Sequence, residues 1–172
     1  MLKPTTELRE VFEVTGQKFG ATDSMIYEKV PGGRELLAWF GRESSFHDAE
    51  VISLSLNRTG RSELEVYGWL ATSEVDEKGY RVLEKHAIVT FGFEGIMDLQ
   101  LDGFGRQNVV NGLILRHATD RGRANYYTQR PETDDIEIEL LPCYGLDGFV
   151  RAKKLTISLV PGHPDKNITT EP

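Results

Sequence analysis

From Ala49 onward, apolar and polar residues alternate with a period of two, the repeat of strands that bury one face. Ile52, Leu54 and Leu56 share one side, opposite Ser53, Ser55 and Asn57. Thr59-Gly60 marks a turn, after which Leu64, Val66, Gly68 and Leu70 run against Glu63 and Glu65. Asp76-Glu77-Lys78-Gly79 is a further turn, and Ala87, Val89, Phe91 and Phe93 form the next inward set. Glu94-Gly95 reads as a bulge or tight corner, because an inward set resumes at Met97, Leu99 and Leu101. Val109, Leu113 and Leu115 suggest another strand, and residues 120–133, polar and carrying Gly122 and Pro131, a loop. Ile136, Ile138 and Leu140 alternate with Asp135, Glu137 and Glu139; Leu155, Ile157 and Leu159 close the pattern. Ile52, Leu54, Leu56, Val89, Phe91, Leu99 and Leu101 are the expected core.

Ahead of the strands the period is helical. Residues 34–40 carry Leu36, Leu37, Trp39 and Phe40 and stop at Gly41, a short amphipathic helix that must lie on something apolar. A second short helix is compatible with residues 6–14, capped by Thr6. About seven short strands with turns between them, and no βαβ spacing, predict an α+β fold. It is predominantly antiparallel, sandwich-like or a curved meander, with a few short helices mainly N-terminal. The whole chain, 1–172, reads as one domain: an N-terminal extension over 1–30, a helix and β-rich body over 31–160, and a solvated tail over 161–172 that includes His163.

Composition narrows the function classes. With 39% hydrophobic and 27% charged residues, the 172-residue chain is an ordinary globular one, long enough to bury a sizeable core. Its net charge of -7 argues against a nucleic-acid partner and suits a basic one. No apolar run approaches a membrane span, and Met1-Leu2-Lys3-Pro4 opens without a signal-peptide h-region, so no membrane partner and a cytoplasmic address are expected. The single Cys143 leaves no intramolecular disulfide and no Cys-based zinc site; with no basic neighbour it reads as a buried or half-buried structural thiol. Neither a Gly-x-Ser-x-Gly elbow nor a full dinucleotide loop is present; Gly103-Phe104-Gly105 lacks the third glycine.

Two groups of residues could carry chemistry. Ser45-Phe46-His47-Asp48-Ala49-Glu50-Val51 sets an imidazole and two carboxylates at the mouth of a strand. His47-Asp48 invites comparison with metal-dependent phosphohydrolases, yet those pairs sit on a helix. Of the other histidines, His86 and His117 have no acidic neighbour at ligand spacing, and His163 lies in the tail. A helix-to-strand corner, with Asp48 turning the backbone and His47 packed beside Trp39 or Phe46, is the competing reading, and no metal or other cofactor is implied. The second group is Asp135, Glu137 and Glu139, about 6.6 Å apart along one strand face, joined by Glu132 and Asp134 with no intervening base. A glycosidase-like pair, an edge protected against pairing, and an acidic docking face for a basic protein are the alternatives.

Trp39-Phe40-Gly41 followed by the 45–51 run resembles the opening signature of the immunity protein 50 family, small bacterial proteins assigned to polymorphic-toxin loci. Val89-Thr90-Phe91-Gly92-Phe93-Glu94-Gly95-Ile96-Met97-Asp98-Leu99-Gln100-Leu101, then Gln107-Asn108-Val109, and later Pro142-Cys143-Tyr144-Gly145-Leu146, extend the resemblance over about residues 35–160. It implies a non-enzymatic protein that holds a cognate toxin inactive, and brings no catalytic residues with it. The expected partner-binding residues are then Asp135, Glu137 and Glu139, with His47, Asp48 and Glu50. The alternative is a small metal-dependent hydrolase or ligand-binding domain built around His47 and Asp48. A deep concave site with convergent polar groups near His47 would mark the second, and a shallow surface with exposed acidic or aromatic residues the first.

Overall fold

The computed structural model describes residues 24–41, 46–123 and 130–164; the helix expected over 6–14 and the last eight residues of the expected tail lie outside them. Among the described residues two helices, α1 (Ser24–Lys29) and α2 (Gly33–Phe40), precede six strands: β1 (Ala49–Ser55), β2 (Ser62–Val75), β3 (Arg81–Asp102), β4 (Val109–His117), β5 (Ile136–Tyr144) and β6 (Asp147–Pro161). The fold is α+β, and every strand pairing among the described residues is antiparallel, in keeping with the alternation. The sheet does not remain an open meander: it closes as a barrel in the order β1-β2-β3-β6-β5-β4. Closure rests on a short seam, Ala49↔Val110 and Glu50↔Val109, extended by Asp48 N–H to Val110 O at 2.9 Å and Val51 N–H to Asn108 O at 2.8 Å.

Alternation fills the barrel with one side of each strand. Leu64 and Val66, Val89, Phe91 and Phe93, Leu113 and Leu115, Ile138 and Leu140, Leu155 and Ile157 form one contiguous core. Two expected core positions are overturned. The β1–β2 register shifts between Val51 and Ser53, so Ala49 and Val51 face inward, Ile52 falls at the irregularity and Leu54 returns to the core. Leu56 lies past the end of β1 and is 50% exposed. Glu94-Gly95 does not break the chain into two strands, because β3 runs unbroken for 22 residues. Its register against β6 slips between Ile96 and Asp98, so Ile96, not Met97, joins Leu99 and Leu101 against the core. Cys143 near the end of β5 is exposed, not buried.

The helices bring further apolar residues into the same core: Ile26, Tyr27 and Val30 from and just after α1, Leu36 and Phe40 from α2. The link between them docks on β6 through Ile157 N–H to Pro31 O at 2.8 Å. Gly32 there has φ +83°, and a Cβ would sit 1.7 Å from the Ile157 carbonyl oxygen, so only glycine lets the chain pass this close to the strand. No helix among the described residues is long and apolar enough to cross a membrane.

Candidate functional site

Parity puts Asp135, Glu137 and Glu139 on the side of β5 opposite Ile138 and Leu140, and sequence alone makes that side a solvent face. The structure overturns this: the three residues are only 2%, 0% and 5% exposed. The outer face of the barrel is covered here by residues that follow β4 in the connection to β5, among them Thr119, Arg121 and Arg123. Glu137 stands in register between Arg116 of β4 and Arg151 of β6. It accepts from Arg116 Nη2 at 2.6 Å, Arg121 Nη2 at 2.6 Å and Arg151 Nε. Arg121, from the connection, also lies over the Phe149 ring at 4.1 Å and pairs with Glu139, as does Arg116. Arg123 reaches Asp98 at 2.8 Å, and Arg151 bonds the Thr119 carbonyl. Asp135 takes Lys153 at 3.1 Å and the Glu132 amide at 2.6 Å.

Burial alone would push the Glu137 carboxyl up. Hydrogen bonds from Arg121 and Arg151, with the charges of Arg116 and Arg121, outweigh it and hold the group below the usual carboxylate range. Burial likewise works against the Arg121 charge, and Glu137 and Glu139 more than restore it. Ringed by three guanidinium groups, the Glu137 carboxylate is matched by positive charge at close range and gives a distant partner little to steer on. This cluster is a staple that holds the connection on the barrel.

His47 and Asp48 occupy a corner. Phe46 and Asp48 have positive φ, 53° and 62°, and Ala49 N–H bonds back to Phe46 O at 3.0 Å. Phe46, 2% exposed, is the residue that packs inward, edge-on to Phe40 and Phe91. His47 and Asp48 pair with each other at 2.9 Å with side chains 61% and 59% exposed; the packed histidine expected from sequence is therefore replaced by an outward one. Among the described residues no group of three or more His, Cys, Asp or Glu side chains gathers as a metal cage. A cleft of about 280 Å³ near α1, lined by Ile26, Val30, Pro31, His117, Ile136 and Leu155 among others, includes none of His47, Asp48 or Glu50.

Glu50 belongs to a different grouping, which the sequence did not reveal. It lies opposite Tyr67 across the β1–β2 ladder. The Tyr67 hydroxyl is 2.7 Å from His86 Nδ1 and 2.6 Å from His163 Nδ1, and Trp69 meets the tyrosine ring edge-on at 5.2 Å. Partial burial and the Glu50 charge both push the Tyr67 hydroxyl up from its ordinary value. His163 is therefore not part of a free tail. Only the outward parity of Tyr67 and Trp69 hinted at a surface cluster, and nothing local linked it to His163.

Among the described residues, three of the exposed large apolar side chains lie on the β2–β3 hairpin, with Phe104, Tyr144 and Val160 exposed elsewhere. β1 leaves β2 at Tyr67, and β6 joins β3 only from Ala87 onward. Residues 70–85 thus extend as a two-stranded arm that, among the described residues, pairs only with itself. Its tip is ordered by Asp76, whose carboxylate accepts the Lys78 and Tyr80 amides, both at 2.9 Å. At its root Trp39 Nε1–H bonds Lys85 O at 2.9 Å. Val75, Tyr80 and Leu83 on the arm are 64%, 70% and 41% exposed, interspersed with Glu74, Asp76, Glu77 and Glu84. No protein-family model, no curated protein and no solved structure matches this chain.

Proposed function

We propose that this protein acts in the cytoplasm by stoichiometric binding to a cognate protein toxin, with the β2–β3 arm as its contact surface. The observation that carries the reading is the arm itself. A two-stranded ribbon projecting from a sheet gains little stability of its own, yet this one holds Val75, Tyr80 and Leu83 in water. Apolar anchors ringed by polar residues are the ordinary make-up of a protein-binding hot spot. The open corner at His47 and Asp48, where each side chain is more than half exposed, offers no comparable support to a hydrolase. The partner class comes from the resemblance of the 39–51, 89–109 and 142–146 motifs to the immunity protein 50 family.

The acidic strand drops out of the binding face, since its carboxylates serve the arginine staple. Four acids and three bases on residues 71–85 leave the arm nearly neutral, so affinity there is apolar contact, while the chain's net charge of -7 favours a basic partner at longer range. Association with the toxin encoded beside the gene is the test. Val75→Ser, Tyr80→Ser and Leu83→Ser combined should weaken binding at least about 100-fold, mostly through faster dissociation, with the melting temperature little changed. Raising salt should slow association of wild type and variant alike. Undiminished binding by the triple variant removes the arm, and no binding by wild type removes the immunity reading.

A further inference from the structure

The geometry points to a divalent transition-metal site on the outer barrel face, formed by Nδ1 of His86, Nδ1 of His163 and the phenolic oxygen of Tyr67, and suited to ions at the copper–zinc end of the first row. It goes beyond the binding reading and does not rest on it. The donors come from three separate segments: β2, β3 and the residues just after β6. Both imidazole nitrogens aim at one oxygen, at 2.7 and 2.6 Å, and the two rings lie 4.1 Å apart, tilted by 33°. A phenol has one proton, so Tyr67 can donate to only one imidazole and must accept from the other. One histidine then carries its proton on Nδ1 and the other on Nε2.

A cation resolves that asymmetry. With both rings as the Nε2–H tautomer, both Nδ1 lone pairs face the phenolic oxygen, and a cation drawn in between would take all three as donors. Tetrahedral donors at metal–ligand distances of about 2.0–2.1 Å stand about 3.3–3.4 Å apart, so each nitrogen must draw back from the phenolic oxygen by roughly 0.7 Å. Two imidazoles and a phenol oxygen suit copper or zinc and are too few and too soft for magnesium or calcium, which take shells of oxygen ligands. The backbone is already placed: Gly162 N–H bonds the His86 carbonyl at 2.8 Å, which holds His163 beside His86. His163 is exposed, leaving the remaining coordination positions to water, and Glu50 across from Tyr67 contributes negative charge. A bound ion would clasp the chain after β6 to the root of the projecting arm.

The experiment uses the untagged full chain, stripped with chelator and dialysed, then titrated calorimetrically with Zn²⁺, with Cu²⁺ followed by absorption and electron paramagnetic resonance, and with Mg²⁺ for comparison. The expected result is one Zn²⁺ or Cu²⁺ per chain and no Mg²⁺. His86→Ala and His163→Ala should each weaken binding by more than the roughly 10–100-fold typical of losing an outer partner. Tyr67→Phe should change the copper spectrum, and His47→Ala should leave binding unchanged. Absence of saturable one-to-one binding overturns the site. So does binding that survives His86→Ala and His163→Ala, or that is lost with His47→Ala.

Discussion

Replacing Glu137 by Gln preserves size and removes one negative charge from the centre of three guanidinium groups. The Glu137 side chain is fully buried, Arg151 is 1% exposed, and Arg116 and Arg121 are 14% and 16% exposed. The amide offers one acceptor oxygen where the carboxylate offers two, and leaves Glu139 to balance the arginines. Breaking a buried ion pair from one side costs about 3–5 kcal/mol, a large part of the roughly 5–15 kcal/mol that holds a domain folded. With a urea dependence near about 2 kcal/mol per molar, the unfolding midpoint should fall by about 1.5–2.5 M at neutral pH with the slope unchanged. The carboxyl is held below its ordinary value, so the unfolded chain takes up this proton first on acidification. Its contribution is complete above about pH 4.3 and is lost as pH falls through the folded value. Wild type should therefore weaken more steeply in acid than Glu137→Gln does. A midpoint change worth less than about 0.5 kcal/mol, the level of an ordinary surface substitution, or an identical acid dependence, would refute the staple.

Other outcomes follow from the same structure. Phe91, 0% exposed and edge-on to Phe46, should cost about 3–5 kcal/mol when truncated to Ala, through lost burial and a residual cavity. Leu56→Ala, at a half-exposed position beyond β1, should change stability by no more than about 0.5 kcal/mol. Urea titration checks both, and reversed magnitudes would mean the β1–β2 turn carries the core contact.

Much of the fold was legible because alternation is local. The inward sets on β2, β3, β5 and β6 and the helix ending at Gly41 are written in adjacent residues. The errors arise where one residue is inserted: the irregularity at Ile52 and the slip near Met97 each shift the inward face; Gly95 marked the second only approximately, and nothing local marks the first. Barrel closure was unreadable, since the seam joins two residue pairs far apart in sequence. The acidic strand is the sharper lesson. Its parity was right, but burial depended on what covered the outer face, and the cover came from Arg121 and Arg123 in a stretch that read only as a polar loop. Four arginines, at 116, 121, 123 and 151, were the available signal that those acids had partners. His163 had no local signal at all, because its tie to Tyr67 spans 96 positions.

Stoichiometric binding is tested most directly by titrating this protein into the toxin encoded beside its gene and following toxin activity. Activity should fall linearly to zero at one protein per toxin, independently of incubation time, and the Val75, Tyr80 and Leu83 triple variant should require a large excess. Progressive loss of activity at substoichiometric protein would reveal turnover and contradict the binding account, as would full toxin activity in excess wild-type protein.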